Sequence, residues 1–210
     1  MEQIIFGVVI VILSIIIHEM AHGHAANWLG DPTARLQGRL SPNPLVHIDP
    51  LGSIVIPLIL SITHAPFLFG WAKPVPYNPY NLNNQKWGEA IVAAAGPAVN
   101  ILIAIIFAII VRNGEVLQLS NSFLEIATYI VRINVLLAFF NMIPFPPLDG
   151  SKILMALLPY GPQMQYRNFV RMAEQYGMIF LFLFLFVFYQ FIATPFSGFI
   201  YKIVNLLTGM

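Results

Sequence analysis

The chain has 210 residues, 58% of them hydrophobic and only 9% charged, with a mean hydropathy of +0.77. Soluble domains carry about 25% charged residues, so this is the composition of a membrane protein rather than of a large soluble core. A net charge of +1 without basic tracts argues against a nucleic-acid partner, and the absence of cysteine excludes disulfides, iron–sulfur clusters and thiolate zinc sites.

In chain order, residues 4–29 read as one long helix, apolar through Ile17 and then small and polar, closed by Gly30 with Pro32 beyond it. Its acidic start at Glu2, and histidines where a cleavage region would lie, argue against a removed signal peptide. Residues 31–50, rich in Pro, Gly and Asn, alternate in polarity over "ARLQGRL" and predict short strands, a small hairpin at the membrane surface. Residues 51–69 are apolar but contain Pro57, His64 and Pro66, the pattern of a segment that dips into the membrane and returns. After a Pro- and Asn-rich loop, 88–112 and about 123–142 read as spanning helices. "NMIPFPPLDG" follows, then a short apolar piece to Leu158 and an amphipathic stretch over 162–176. An apolar run covers 177–193, and a break at Thr194–Pro195 leads to a last apolar segment. The chain thus reads as a single all-α polytopic membrane domain over 1–210, with its core within about 4–158 and additional C-terminal membrane helices within about 177–207.

Charge gives the topology. If 51–69 re-enters, one side holds Arg35, Arg39, Lys73, Lys86, Lys152, Arg167 and Arg171 while the other holds little beyond Arg112, which marks the first as cytoplasmic. If 51–69 crosses, the bias fades, so charge favours the dip.

The chemistry lies in "HEMAH", residues 18–22, an H-E-x-x-H pattern. On a helix, positions four apart project about 40° from one another, so His18 and His22 can offer nitrogens to one metal, while Glu19 can act on a water as general base. His18 lies roughly 22 Å along the axis from Gln3, inside a hydrocarbon core of about 30 Å, where ionisable groups are costly and mark function. A zinc site of this type needs a third protein ligand. Among nine carboxylates, Asp149 stands apart. It follows Pro144, Pro146 and Pro147, which forbid a continuous helix, and irregular backbone at membrane depth is tolerated only where it is buried in protein or lines a cavity. A divalent zinc ion, two neutral histidines, one aspartate and a hydroxide also sum to zero charge, which a low-dielectric site favours. His24 projects about 200° from His22 and faces elsewhere. His47 either approaches the site or pins the hairpin, pinning being preferred, and His64 reads as a satisfied interior or interfacial residue.

Together these motifs resemble the site-2 protease family (peptidase family M50) of intramembrane zinc metalloproteases. "HEMAH" matches that family's H-E-x-x-H, "AGPAVN" at 95–100 its G-P-x-x-N, and "NMIPFPPLDG" at 141–150 its N-x-x-P-x-x-P-L-D-G, in the family's order and on three predicted membrane segments. "SPNPLVHIDPLGS" resembles the short prokaryotic members, and neither the PDZ-like insertion nor the CBS region of some relatives can be placed. The resemblance implies one Zn²⁺ per chain on His18, His22 and Asp149, with Glu19 as the base. It makes Asn100 and Asn141 supporting groups that bind the substrate backbone or the developing oxyanion, with interhelical hydrogen bonding an equal alternative. It implies cleavage in or near the transmembrane helix of a membrane-protein substrate, in the bilayer of the plasma membrane, with the site nearer the cytoplasm. A metal transporter and a non-catalytic zinc-binding scaffold are the rival functions, the former weakened by the lack of internal repeats.

Overall fold

The computed structural model of the chain describes residues 2–63 and 70–209, the side chains of residues 2–5 and Ser61 excepted. Helix α1 runs Glu2–Trp28, and a short turn α2 Thr33–Leu36 follows. A wide helical turn Pro50–Val55 leads into α3, Ile56–Ile62. Long α4 (Gly88–Arg112) and α5 (Asn121–Asn141) come next, then short α6, Asp149–Leu157. Helix α7 (Tyr160–Val187) is kinked at Gly177 and passes through a π-helical turn at Phe188–Ile192 into α8, Ala193–Thr208. Helices α1, α4, α5 and the α7–α8 span are long and apolar enough to cross a membrane, which makes this a multi-pass membrane protein. Side chains such as Phe6, Leu102, Ile179 and Leu206 point outward, as suits helices whose solvent is lipid.

Small residues let the spans approach closely. Ala104 and Ala108 of α4 pack with Val131 and Val135 of α5 and with Ile200 and Val204 of α8. A buried polar pair joins α1 to α5: Asn134 Nδ2 donates to Ser14 Oγ at 3.0 Å. Sequence reasoning passed over Asn134, although an asparagine in mid-span is itself the signal of such a bond.

The spanning helices over 88–112 and 123–142 stand where predicted, but two expectations need correction. Among the described residues there is no strand. The predicted hairpin is replaced by α2 and a 3₁₀ turn, Pro44–His47. Seven alternating residues were too short a signal against a local competitor: Thr33 donates its N–H and its hydroxyl to Asp31 Oδ1, starting a helical turn. Arg39 is buried, as a sheet-edge arginine would not be, and donates to Val46 O, Lys73 O and Pro74 O. The second correction concerns the Thr194–Pro195 break. Pro195 lies in the first turn of α8, where its missing N–H is tolerated, and the helical path is instead disturbed at Gly177 (φ 43°) and at the π-helical turn.

The α1 end and the α4 start lie together, since Asn83 N–H donates to Leu29 O at 2.8 Å. The segment between them therefore makes no net crossing. It also closes on itself, Trp71 N–H donating to Gly52 O at 3.1 Å. His64 lies outside the described residues. Helix α5 returns to this same end, where α6 packs on α4, and α8 ends at the other, where Arg112 donates to Leu206 O and Leu207 O.

Candidate active site

His18 and His22 leave α1 toward the turn of α4 that contains Pro97. Proline cannot donate to the carbonyl of Ala93 and crowds that turn, leaving neighbouring carbonyls open to other donors. Val92 O accepts one, from His22 Nδ1 at 2.7 Å. About two turns further along α4, Asn100 Oδ1 accepts from His18 Nδ1 at 3.0 Å. With the proton of each ring on Nδ1, each Nε2 presents a bare lone pair. Gly96 makes this closeness possible. A Cβ there would lie 2.6 Å from His18 Cε1, His18 Nε2 and His22 Cε1, so the imidazoles rest directly on the α4 backbone.

Asp149 reaches the same point from a different element. Pro144, Pro146 and Pro147 end the helical path of α5, extended Leu148 redirects it, and Asp149 opens α6. Gly150 fixes the approach, because a Cβ there would fall 2.2 Å from Met142 O. Asp149 Oδ2 lies 3.2 Å from His18 Nε2 and 3.4 Å from His22 Nε2. Two bare nitrogens and a carboxylate oxygen this close repel one another unless a cation lies among them. Zinc with bonds of about 2.0–2.1 Å holds tetrahedral ligand atoms about 3.3 Å apart, which is the spacing observed here. The three residues, whose ligand atoms all fall within 4.8 Å of one another, therefore fit zinc in number, type and distance. The second partners on both Nδ1 atoms are those that orient ligating histidines.

Glu19 stands beside this group. Its Oε2 accepts the Val75 N–H at 2.9 Å, which aims the carboxylate while leaving an oxygen available. Val75 belongs to a strap without regular structure, residues 70–78, tied down along its length. Lys73 N–H donates to His47 O, Arg39 holds Lys73 O and Pro74 O, and Asn78 N–H donates to Asp31 Oδ2 at 2.6 Å. His47 itself is buried and bonds Ser41 O through Nε2 at 2.8 Å, so it pins the loop and takes no part in the His–His–Asp group. His24 is exposed, as its helical angle requires.

Asp31 anchors the far end of the strap with Thr33, Asn78 and Asn81 as donors. Burial works to raise its pKa, but the donations from Thr33, Asn81 and Asn78 outweigh it and hold the carboxyl below its ordinary value of 3.8. A depressed folded pKa means stability that is present above the unfolded value and is lost as pH falls below about 3.8 through the folded one. Asp31→Asn is expected to destabilise the protein by about 2 kcal/mol at pH 7 through loss of charge-assisted bonds, and the gap from wild type should shrink toward pH 2–3. Thermal unfolding in detergent at both pH values checks this.

Asn141, expected among the supporting groups, lines the cavity but turns its Nδ2 back onto Leu137 O at 2.9 Å. Asn100 is brought directly onto His18. The parts that sequence reasoning missed are Gly96, the Val92 carbonyl, the strap, and a Tyr77–Lys152 pair at the cavity wall. Val75, Tyr77, Val92, Asn141 and Lys152 line one cavity of about 1250 Å³, larger than the roughly 300–1,000 Å³ of small-molecule sites. Leu136, Phe140, Phe180 and Phe184 form an apolar wall facing His18, Glu19, His22 and Asp149.

The known proteins that this chain is similar to point to one family. The profile of peptidase family M50 matches residues 114–185. The "Putative zinc metalloprotease YwhC" of Bacillus subtilis is 34% identical over 178 residues, covering 82% of this chain and 76% of that one. The "Putative zinc metalloprotease Rip2" of Mycolicibacterium smegmatis is 26% identical over 177 residues, covering 80% of this chain and 61% of that longer one. No solved structure gives a significant match. The identity and coverage shared with the Bacillus protein, added to the profile match, establish that this chain belongs to peptidase family M50, the site-2 protease family, and is a zinc metalloprotease.

Proposed function

We propose that this metalloprotease hydrolyses peptide bonds within or beside the transmembrane segments of other membrane proteins, with His18, His22 and Asp149 holding the zinc and Glu19 as general base, in regulated intramembrane proteolysis. The observation that carries the proposal is the meeting of a His–His–Asp donor set and a glutamate aimed by the Val75 N–H in one large apolar cavity walled by apolar helices.

Zinc, when bound, acidifies water and polarises a carbonyl. The chain's own groups supply the rest. Glu19 takes a proton from the attacking water as its oxygen bonds the carbonyl carbon, and passes that proton to the amide nitrogen as the C–N bond breaks. The Val75 N–H keeps the carboxylate aimed through both transfers. Asn100 is wholly buried, and its part is to fix the proton of His18 on Nδ1. Asn141 presents its remaining amide oxygen at the cavity wall. A helical substrate hides its carbonyls in its own hydrogen bonds, and the volume of the cavity suits a locally unwound segment. The basic residues at the site's end of the bundle, among them Arg35, Arg39, Lys73 and Lys86, support a site nearer the cytoplasmic face of the plasma membrane.

Liposomes containing the protein and single-span substrates test this, with products mapped by mass spectrometry. The expected result is a cut inside the span or within about one turn of its end, abolished by a zinc chelator. Cleavage confined to soluble loops would sink the intramembrane assignment. Zinc flux without cleavage would favour a transporter, and tight zinc with neither flux nor cleavage a scaffold.

A further inference from the structure

One charged group in the reaction cavity has no part in the chemistry above. Lys152 stands three residues after Asp149 on α6, so the two side chains share a helix face, their Cβ atoms about 5–6 Å apart. Both line the same cavity. Among the described residues, the ion pairs are those of Asp149 with His18 and His22, so no carboxylate stands within ion-pair distance of the lysine ammonium. Its near neighbour is instead an aromatic face: Nζ sits 5.1 Å from the centre of the Tyr77 ring. Tyr77 is set on the strap two residues beyond Val75, whose N–H holds Glu19. One short segment therefore positions both the proposed base and this cation.

The ammonium is hydrogen-bonded to the Tyr77 side chain and is attracted by Asp149 and Glu89, but among the described residues it makes no close ion pair, so a ligand carboxylate can still bond it directly. Glu89 also lines the cavity, but it is exposed at the start of α4, where solvent screens its field. Glu19, Asp149 and Glu174 line the cavity as well, so the positive field of Lys152 is a local one, felt by a side chain that comes into contact with it.

We infer that Lys152, positioned by Tyr77, is a specificity residue that pairs with a carboxylate side chain of the substrate close to the scissile bond. This rests on the proteolytic function proposed above. A fixed cation one helical turn from Asp149 is reached by a side chain on a residue flanking the cleaved bond, so the preferred substrate carries Asp or Glu there.

The test uses full-length protein in liposomes and a panel of single-span substrates. Each substrate bears Glu, Gln or Lys at one of the three positions on either side of the bond cut in the parent. At one position the wild type should cleave the Glu substrate about 10–100-fold faster, in kcat/KM, than the Lys substrate, the range for a charge-assisted contact. Lys152→Gln should bring that ratio near unity, and Lys152→Glu should invert it. The ratio within each variant is the readout, so a general loss of stability or zinc does not mimic the effect. A uniform loss of rate with an unchanged ratio would overturn the inference, as would a wild type indifferent to charge at every position. A wild type that cleaves nothing in the panel would instead count against the proteolytic function itself.

Discussion

Glu19→Gln protein is expected to keep its zinc and lose peptide hydrolysis by about 10²–10⁴-fold, the range that removal of a general base gives. Glutamine is nearly the same size and its amide oxygen can still accept the Val75 N–H, so the strap stays in place. What glutamine cannot do is take a proton. The His–His–Asp group closes without Glu19, so metal content should not change. Loss of zinc from this variant would make Glu19 a ligand, and undiminished cleavage would remove it as the base.

Gly96→Ala should fail in the opposite way, by losing the metal. The added methyl would sit 2.6 Å from both imidazoles, and neither ring can retreat without giving up its Nδ1 partner, Asn100 for His18 and Val92 O for His22. Both partners ride on α4 with Gly96, so the helix cannot move away from one ring without disturbing the other. Disrupting the groups that orient ligating histidines typically lowers metal affinity by about 10–100-fold, and the steric change here should reach at least the upper end. Dialysis followed by metal analysis should show substoichiometric zinc, circular dichroism an unchanged helix content, and added zinc a partial recovery of cleavage. Wild-type zinc content in this variant would mean that the close packing on α4 is dispensable.

These two residues also mark how much of the site was legible in sequence. H-E-x-x-H declares itself locally because helical spacing alone brings His18 and His22 together. Asp149 stood out because three prolines within four residues demanded a special setting for its carboxylate. Gly96 could be quoted within a motif but given no role, and Asn100, expected to bind substrate or bridge helices, instead holds His18 Nδ1. Their roles exist only in contact with side chains more than seventy residues away, and a sequence does not print such contacts. Lys152 and Tyr77 were illegible for the same reason: their meeting depends on the path of a strap that has no regular structure. The spans were readable because the bilayer fixes their length and composition. The loop after α1 was not. A seven-residue alternation suggested strands, yet the hydrogen-bonding capacity of Asp31 and Arg39 decided the local structure instead, one by starting a helical turn and the other by gathering three carbonyls. Any effect of changes at 34–40 on cleavage should accordingly pass through Arg39 and the strap rather than through a sheet edge.

The most direct test of the whole account is a zinc titration of metal-stripped protein in liposomes, read by cleavage of a single-span substrate, for the wild type and for Asp149→Asn. The account predicts no cleavage without metal, a linear rise to a plateau at one zinc per chain in the wild type, and little recovery at the same zinc level in the variant. Cleavage by the metal-free wild type, or a variant that titrates as the wild type does, would contradict it.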